Sequence, residues 1–108
     1  MILDAATLLD YFDANSGRYW GLAGRLELAA EYEELVVSPF VIAELEGLVR
    51  AKFGLNGWLA VLDELAGGAW SIAGVDEQHL ASVRELAADG AGLAAASVEV
   101  LTEGPSPG

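Results

Sequence analysis

The stretch Leu35–Arg50, LVVSPFVIAELEGLVR, decides the fold. Leu35–Ser38 is short, continuous and apolar, the pattern of a strand buried on both faces. Ser38-Pro39 then reads as a helix start, a hydroxyl N-cap followed by proline at the first helical position. The helix continues through FVIAELEGLVRAK and is expected to stop near Gly54, with Arg50 and Lys52 facing the negative end of its dipole. A buried strand that turns directly into a helix is one half of a parallel βαβ unit.

The same grammar repeats on either side. Upstream, MILDAATLLDYFD (Met1–Asp13) opens with an apolar strand over Met1–Asp4 and becomes helical from Ala5 to about Ala14, with Leu8, Leu9, Tyr11 and Phe12 in the core stripe. Asn15–Gly17 reads as a turn. A second helix runs from Arg18 to about Tyr32 with Trp20, Ala23, Leu26 (or Glu27) and Ala30 near one face, ending in the acidic cluster Glu31, Glu33 and Glu34. Downstream, Leu55–Ala66 is a separate helix (Trp58, Leu59, Leu62, Leu65) closed by Gly67-Gly68. Ala69–Val75 alternates enough for a third strand. Asp76-Glu77 open a helix to about Ala88 carrying Leu80, Val83 and Leu86. Asp89–Gly92 is a loop, Leu93–Glu103 an Ala-rich helix, and residues 104–108 a flexible tail. Strands alternating with helices predict a three-layer α/β fold, a short parallel sheet with helices on both faces.

Composition limits what such a domain does. In 108 residues, 54% hydrophobic, there is room for one core, and the absence of cysteine removes disulfides and thiolate metal sites together. No basic-then-apolar leader precedes the first strand, and no apolar run approaches the roughly 18 residues of a membrane span, so a cytoplasmic protein without membrane contact is expected. The net charge of −12, from 17 acidic and 5 basic residues, disfavours general binding to polyphosphate and favours a basic partner. Acidity also serves plain solubility.

In open parallel sheets, ligands gather outside the carboxyl ends of the strands. Asp4 ends the first strand, and Glu44 lies on the second turn of the helix that follows the second strand. If those strands are neighbours, both carboxylates face one crevice and can hold a hard cation such as Mg²⁺. Taken singly, Asp4 reads first as an N-cap and Glu44 as a solvated helix residue, with the metal site the less favoured reading of the spacing alone.

These segments together resemble the PIN-domain family, in particular the VapC-type toxins of bacterial toxin–antitoxin pairs. MILDAATLLDYFD is similar to that family's opening of apolar strand, Asp, small hydroxylated residues and LL-x-YF/LD. VSPFVIAEL is similar to its (V/I)SP-x-V-x-AEL segment, VLDELAGGAW (Val61–Trp70) to its FLDELAAGAW, and GLAAASVEVL (Gly92–Leu101) to its GLADASVVAL. The resemblance runs from Met1 to about Thr102. It implies one PIN-like domain over 1–103, truncated in its C-terminal part relative to the family. It also implies a metal-dependent endoribonuclease in which carboxylates gather Mg²⁺ or Mn²⁺ to activate water for in-line attack on an RNA phosphodiester. Asp4 matches the first acid and Glu44 the second. Homodimerisation and a cognate basic antitoxin whose tail occupies the acidic crevice are implied as well.

The departures are specific. Ala95 stands where the third acid, the Asp of GLADAS, is expected, and Ala5 and Ala6 replace the small hydroxyl residues, leaving Thr7 nearby. Glu99, one helical turn after Ala95, and Asp89, in the preceding loop, are the candidates to fill the vacancy, each against the simpler reading of a surface or cap residue. A catalytically impaired module that acts by binding an antitoxin-like peptide or itself is therefore the alternative function, and an altered version of an active enzyme is a third. Outside the crevice, His79 is expected to be an exposed or partly packed helix residue, and Trp20, Trp58 and Trp70 core or interface. Arg18 and Arg25 are the best placed basic residues for an RNA backbone, or else part of a solvated helix face. GLAG and LAGGA lack phosphate-loop spacing.

Overall fold

The computed structural model describes residues 1–13 and 19–103, excepting the side chains of Tyr19, Trp20 and Leu22. The expected turn at Asn15–Gly17, Arg18, the core placement of Trp20 and the tail 104–108 lie outside the described residues. In chain order the elements are β1 (Ile2–Leu3), α1 (Ala5–Phe12), α2 (Tyr19–Ala30), β2 (Val36–Val37), α3 (Pro39–Ala66), β3 (Ser71–Ile72), α4 (Glu77–Ala88) and α5 (Leu93–Glu103).

The three strands form one parallel sheet in the order β1-β2-β3. Ile2 pairs with Val36 and Leu3 with Val37, and on the other side of β2 Val36 pairs with Ser71 and Val37 with Ile72. Successive strand residues point to opposite faces. Leu3 and Val37 are buried while Ile2 and Val36 are half-buried, so both faces of the first two strands are covered, as a parallel sheet requires. At the β3 edge one face stays open, with Ile72 47% exposed. The strands are much shorter than the apolar runs that encode them.

One core joins Leu3, Leu8, Leu26, Val37, Val41, Leu45, Val49, Trp58, Val61, Leu65 and Trp70, so the sheet, the first three helices and both described core tryptophans pack together. Val41, Leu45 and Val49 follow the i, i+4 spacing of a single helix face and are fully buried. The expected helix stop at Gly54 is present as a break inside α3. Gly54 has φ 73° and ψ −172°, outside the helical region, and the chain resumes helix at once. The second segment buries Trp58, Val61 and Leu65, whereas Leu59 and Leu62, expected in its core stripe, are exposed. The reason is phase: 58, 61 and 65 form a stripe at spacings of three and four, and 59 and 62 lie one residue round from it.

A similar correction applies to α4. The buried line is His79, Val83 and, in part, Leu86, while Leu80 is 47% exposed. His79, expected to be exposed or partly packed, is thus buried: it takes the core position at i, i+4, i+7 that leucine was expected to hold. Arg50 and Lys52 also serve otherwise than expected. Arg50 pairs with Glu46 one turn earlier, and Lys52 pairs across to Asp13, the C-cap of α1.

Candidate functional site

The register of β1 on β2 builds the site. Because Leu3 lies beside Val37, the residues that follow them, Asp4 and Ser38, emerge together at the carboxyl end of the sheet. Both cap helices. Asp4 Oδ1 accepts the amide of Thr7 at 2.8 Å and opens α1, and Ser38 Oγ accepts the amide of Phe40 at 3.2 Å and opens α3. The two helices therefore leave the sheet from adjacent points and pack on each other, with α5 against α3 and β1.

Between them lies a cleft of about 340 Å³. Asp4, Ala5 and Ala6 line it from α1, Val41, Glu44 and Leu48 from α3, and Ala94, Ala95 and Val98 from α5. Asp4 and Glu44 are both exposed, and every other lining side chain is apolar. The cap reading of Asp4 is correct and does not compete with the cleft, since the cap uses Oδ1 and Oδ2 makes no hydrogen bond among the described residues. Ala95, where the resemblance places a third acid, opens into the same cleft.

Neither substitute acid reaches it. Glu99 is exposed and is not part of the lining, because the cleft sees the α5 face formed by 94, 95 and 98. Asp89 is the exposed C-cap of α4. Among the described residues no three His, Cys, Asp or Glu side chains gather to hold a metal. Two carboxylates suit a single hard cation that keeps most of its waters, since Mg²⁺ is commonly held by one or two carboxylates. They do not make a multidentate cage. Arg25 lines a different groove, along β1 with Met1, Ile2, Leu3 and Thr7. Among the lining residues of the cleft there is no base to contact an RNA backbone.

Behind the cleft is a buried polar chain that the sequence reading missed. Ser97 Oγ lies 2.6 Å from Ser38 Oγ and 2.8 Å from His79 Nε2, and the His79 ring stacks on Phe40 with centroids 6.3 Å apart. Both serines are fully buried and His79 is 8% exposed. The available signals were a serine inside an otherwise apolar α5 pattern and a histidine in phase with Val83 and Leu86.

A parallel sheet whose first two strands deliver an acid and an acid-bearing helix to one cleft, closed by a small-residue helix, defines a PIN-type domain. No protein-family model matches the chain. It is 47% identical over 73 residues to Ribonuclease VapC26 of Mycobacterium tuberculosis, a match of 68% of this chain and 53% of that protein. The chain thus spans about half the length of the curated relative it matches. The crystal structure of VapC20 from Mycobacterium tuberculosis, a toxin that cleaves the sarcin–ricin loop, matches with a TM-score of 0.78 over 94% of this chain and 80% of the other, at 16% identity. That likeness establishes the fold. In sequence the chain is thus similar to a VapC-type ribonuclease, and in fold to a VapC-type PIN domain.

Proposed function

We propose that this chain is the toxin component of a toxin–antitoxin pair and hydrolyses RNA phosphodiester bonds in the cleft at the carboxyl end of β1 and β2. One observation carries the reading: Asp4 and Glu44, remote in sequence, line a single cleft whose other walls are apolar. In it the two residues are the ligands of one Mg²⁺ or Mn²⁺. When bound, such a cation lowers the pKa of a water and neutralises charge on a scissile phosphate. Asp4 serves from a position already fixed by its cap to Thr7, so little side-chain freedom is lost on binding. Glu44 is held on α3 between the buried Val41 and Leu45 and closes the opposite wall. The relative named a ribonuclease supports this reading. A cognate basic antitoxin is the partner that the charge of −12 favours, and the similarity to a VapC-type ribonuclease supports a cytoplasmic homodimer. Among the described residues no helix is long and apolar enough to cross a membrane.

The test is calorimetric titration of the whole chain with Mn²⁺, followed by cleavage of total RNA with and without the ion. Binding at one site together with metal-dependent cleavage supports the proposal, and absence of binding overturns it. Ala95 favours a second reading, in which the cleft binds without efficient hydrolysis and the protein acts through its partner. Comparison with Ala95→Asp separates the two. Cleavage gained only on restoring the carboxylate establishes the impaired module, and equal cleavage by both chains rules it out.

A further inference from the structure

We propose that His79, Ser97 and Ser38 form a positioning device that fixes the rotation of α5, and with it which residues of α5 face the cleft. The proposal rests on the cleft reading for its metal readout alone.

The α5 helix, LAAASVEVLTE, is built mostly of small side chains. Its buried residues besides Ser97 are Ala96 and Val100, which pack with Val83 of α4. Alanine contacts are shallow and non-directional, so they define the rotation of a helix poorly. Among the described residues, the only side-chain hydrogen bonds that tie α5 to another element run through Ser97 Oγ. The other side-chain bond of this helix, Thr102 Oγ1 to the Val98 carbonyl, is internal to it.

Ser97 meets two fixed groups. Ser38 is tied to the sheet and to α3, since it follows β2 directly and caps the helix that carries Glu44. His79 is held twice over, with its amide donating to Asp76 Oδ1 at 2.9 Å and its ring stacked on Phe40. Adjacent helix positions are about 100° apart, so the cleft face formed by Ala94, Ala95 and Val98 lies about a quarter-turn from Ser97. Turning α5 by a single position in either direction would change which of its residues line the cleft. It would also break both bonds of the fully buried Ser97 hydroxyl and take His79 Nε2 from its partner, leaving Ser38 only its cap to Phe40, which a dry interior penalises strongly. His79 is therefore a positioning residue for the cleft, acting through Ser97.

The test compares His79→Phe, which keeps a ring against Phe40 but removes the hydrogen bond, with His79→Gln, which can restore it. Amide hydrogen exchange across α5 and Mn²⁺ affinity are read on the full chain, with circular dichroism as the control for folding. In His79→Phe, exchange at 94–98 is expected to rise about tenfold and Mn²⁺ binding to weaken, while His79→Gln stays near the starting protein. Packing alone predicts the reverse order, with Phe milder than Gln. That order, or unchanged α5 exchange in His79→Phe, overturns the proposal. Should His79→Phe fail to fold, Ser97→Ala carries the same expectation with a smaller change in volume. If the unmodified chain does not bind Mn²⁺, the ribonuclease reading fails, and the exchange comparison still decides the positioning role.

Discussion

Leu3 of β1 lies in register with Val37 of β2, and each is followed immediately by a helix-capping residue, Asp4 or Ser38. That pairing converts two distant sequence segments into one cleft. It also gives Asp4 two duties, one to α1 and one to the cleft, and these can be separated by substitution. Asparagine keeps a side-chain oxygen for the Thr7 amide, and alanine does not. Asp4→Ala is expected to lower unfolding free energy by about 1 kcal/mol and Asp4→Asn by much less, while both lose Mn²⁺ binding. Urea denaturation and metal titration check this. Equal destabilisation by both variants would show that the cap contributes nothing.

Ala95 predicts the opposite trade. Placing a carboxylate there sets three acids in one apolar-walled cleft, where like charges repel and desolvation is poorly compensated. Ala95→Asp is expected to be less stable than the parent without divalent ions, by about 1 kcal/mol, and to bind Mn²⁺ about tenfold more tightly. Its melting temperature then rises more steeply with Mn²⁺ concentration, since a ligand that binds only the folded state stabilises it by mass action. A melting temperature indifferent to the ion in both chains would overturn the prediction.

The contrast between Asp4 and His79 explains how much of this protein was legible in its sequence. Element order, the cap at Ser38, the helix start at Asp76 and the break at Gly54 follow from local rules, while the convergence of Asp4 with Glu44 also needed β1 and β2 to be neighbours. Which face of a helix is buried is a finer question. Leu59, Leu62 and Leu80 have the right chemistry for a core, but a neighbouring phase containing Val61 or His79 is buried instead, because the partner surfaces that choose between phases belong to other elements. The Ser38–Ser97–His79 chain was illegible for the same reason. Hydrogen bonds between residues 59 positions apart depend on tertiary placement, and a serine in an Ala-rich helix has no local signature of a buried partner.

The break in α3 depends on two glycines in different ways. Gly54 occupies φ 73°, ψ −172°, a region essentially closed to residues with a Cβ. At Gly57 the backbone is helical, but an added Cβ would lie 2.3 Å from the Cβ of Phe53, so a neighbour must move. Gly54→Ala is expected to cost about 1–3 kcal/mol through backbone strain. Gly57→Ala is expected to destabilise as well, and removing the obstructing Cβ in a Gly57→Ala, Phe53→Gly double variant should show coupling between the sites, read by denaturant unfolding. Strict additivity of the two changes would refute the steric account.

Charge sets the last expectation. With a net charge of −12 and a radius of gyration of 14.4 Å, most carboxylates lie within the screening length of about 30 Å that holds at 0.01 M salt. At 0.15 M that length falls to about 8 Å, so repulsion across the molecule is largely removed. The Lys52–Asp13 pair loses less, because the Asp13 carboxylate is almost completely buried and screened weakly. Repulsion among many exposed acids therefore outweighs the few attractions that salt also weakens, among them the exposed Arg50–Glu46 pair. The melting temperature is expected to rise by several degrees between 10 and 150 mM NaCl. At constant ionic strength, replacing part of the NaCl with MnCl₂ adds a further rise in the parent chain but not in Asp4→Asn, which separates general screening from a cation held in the cleft. A melting temperature that falls with added NaCl would mean that specific ion pairs, rather than net repulsion, govern the stability of the fold.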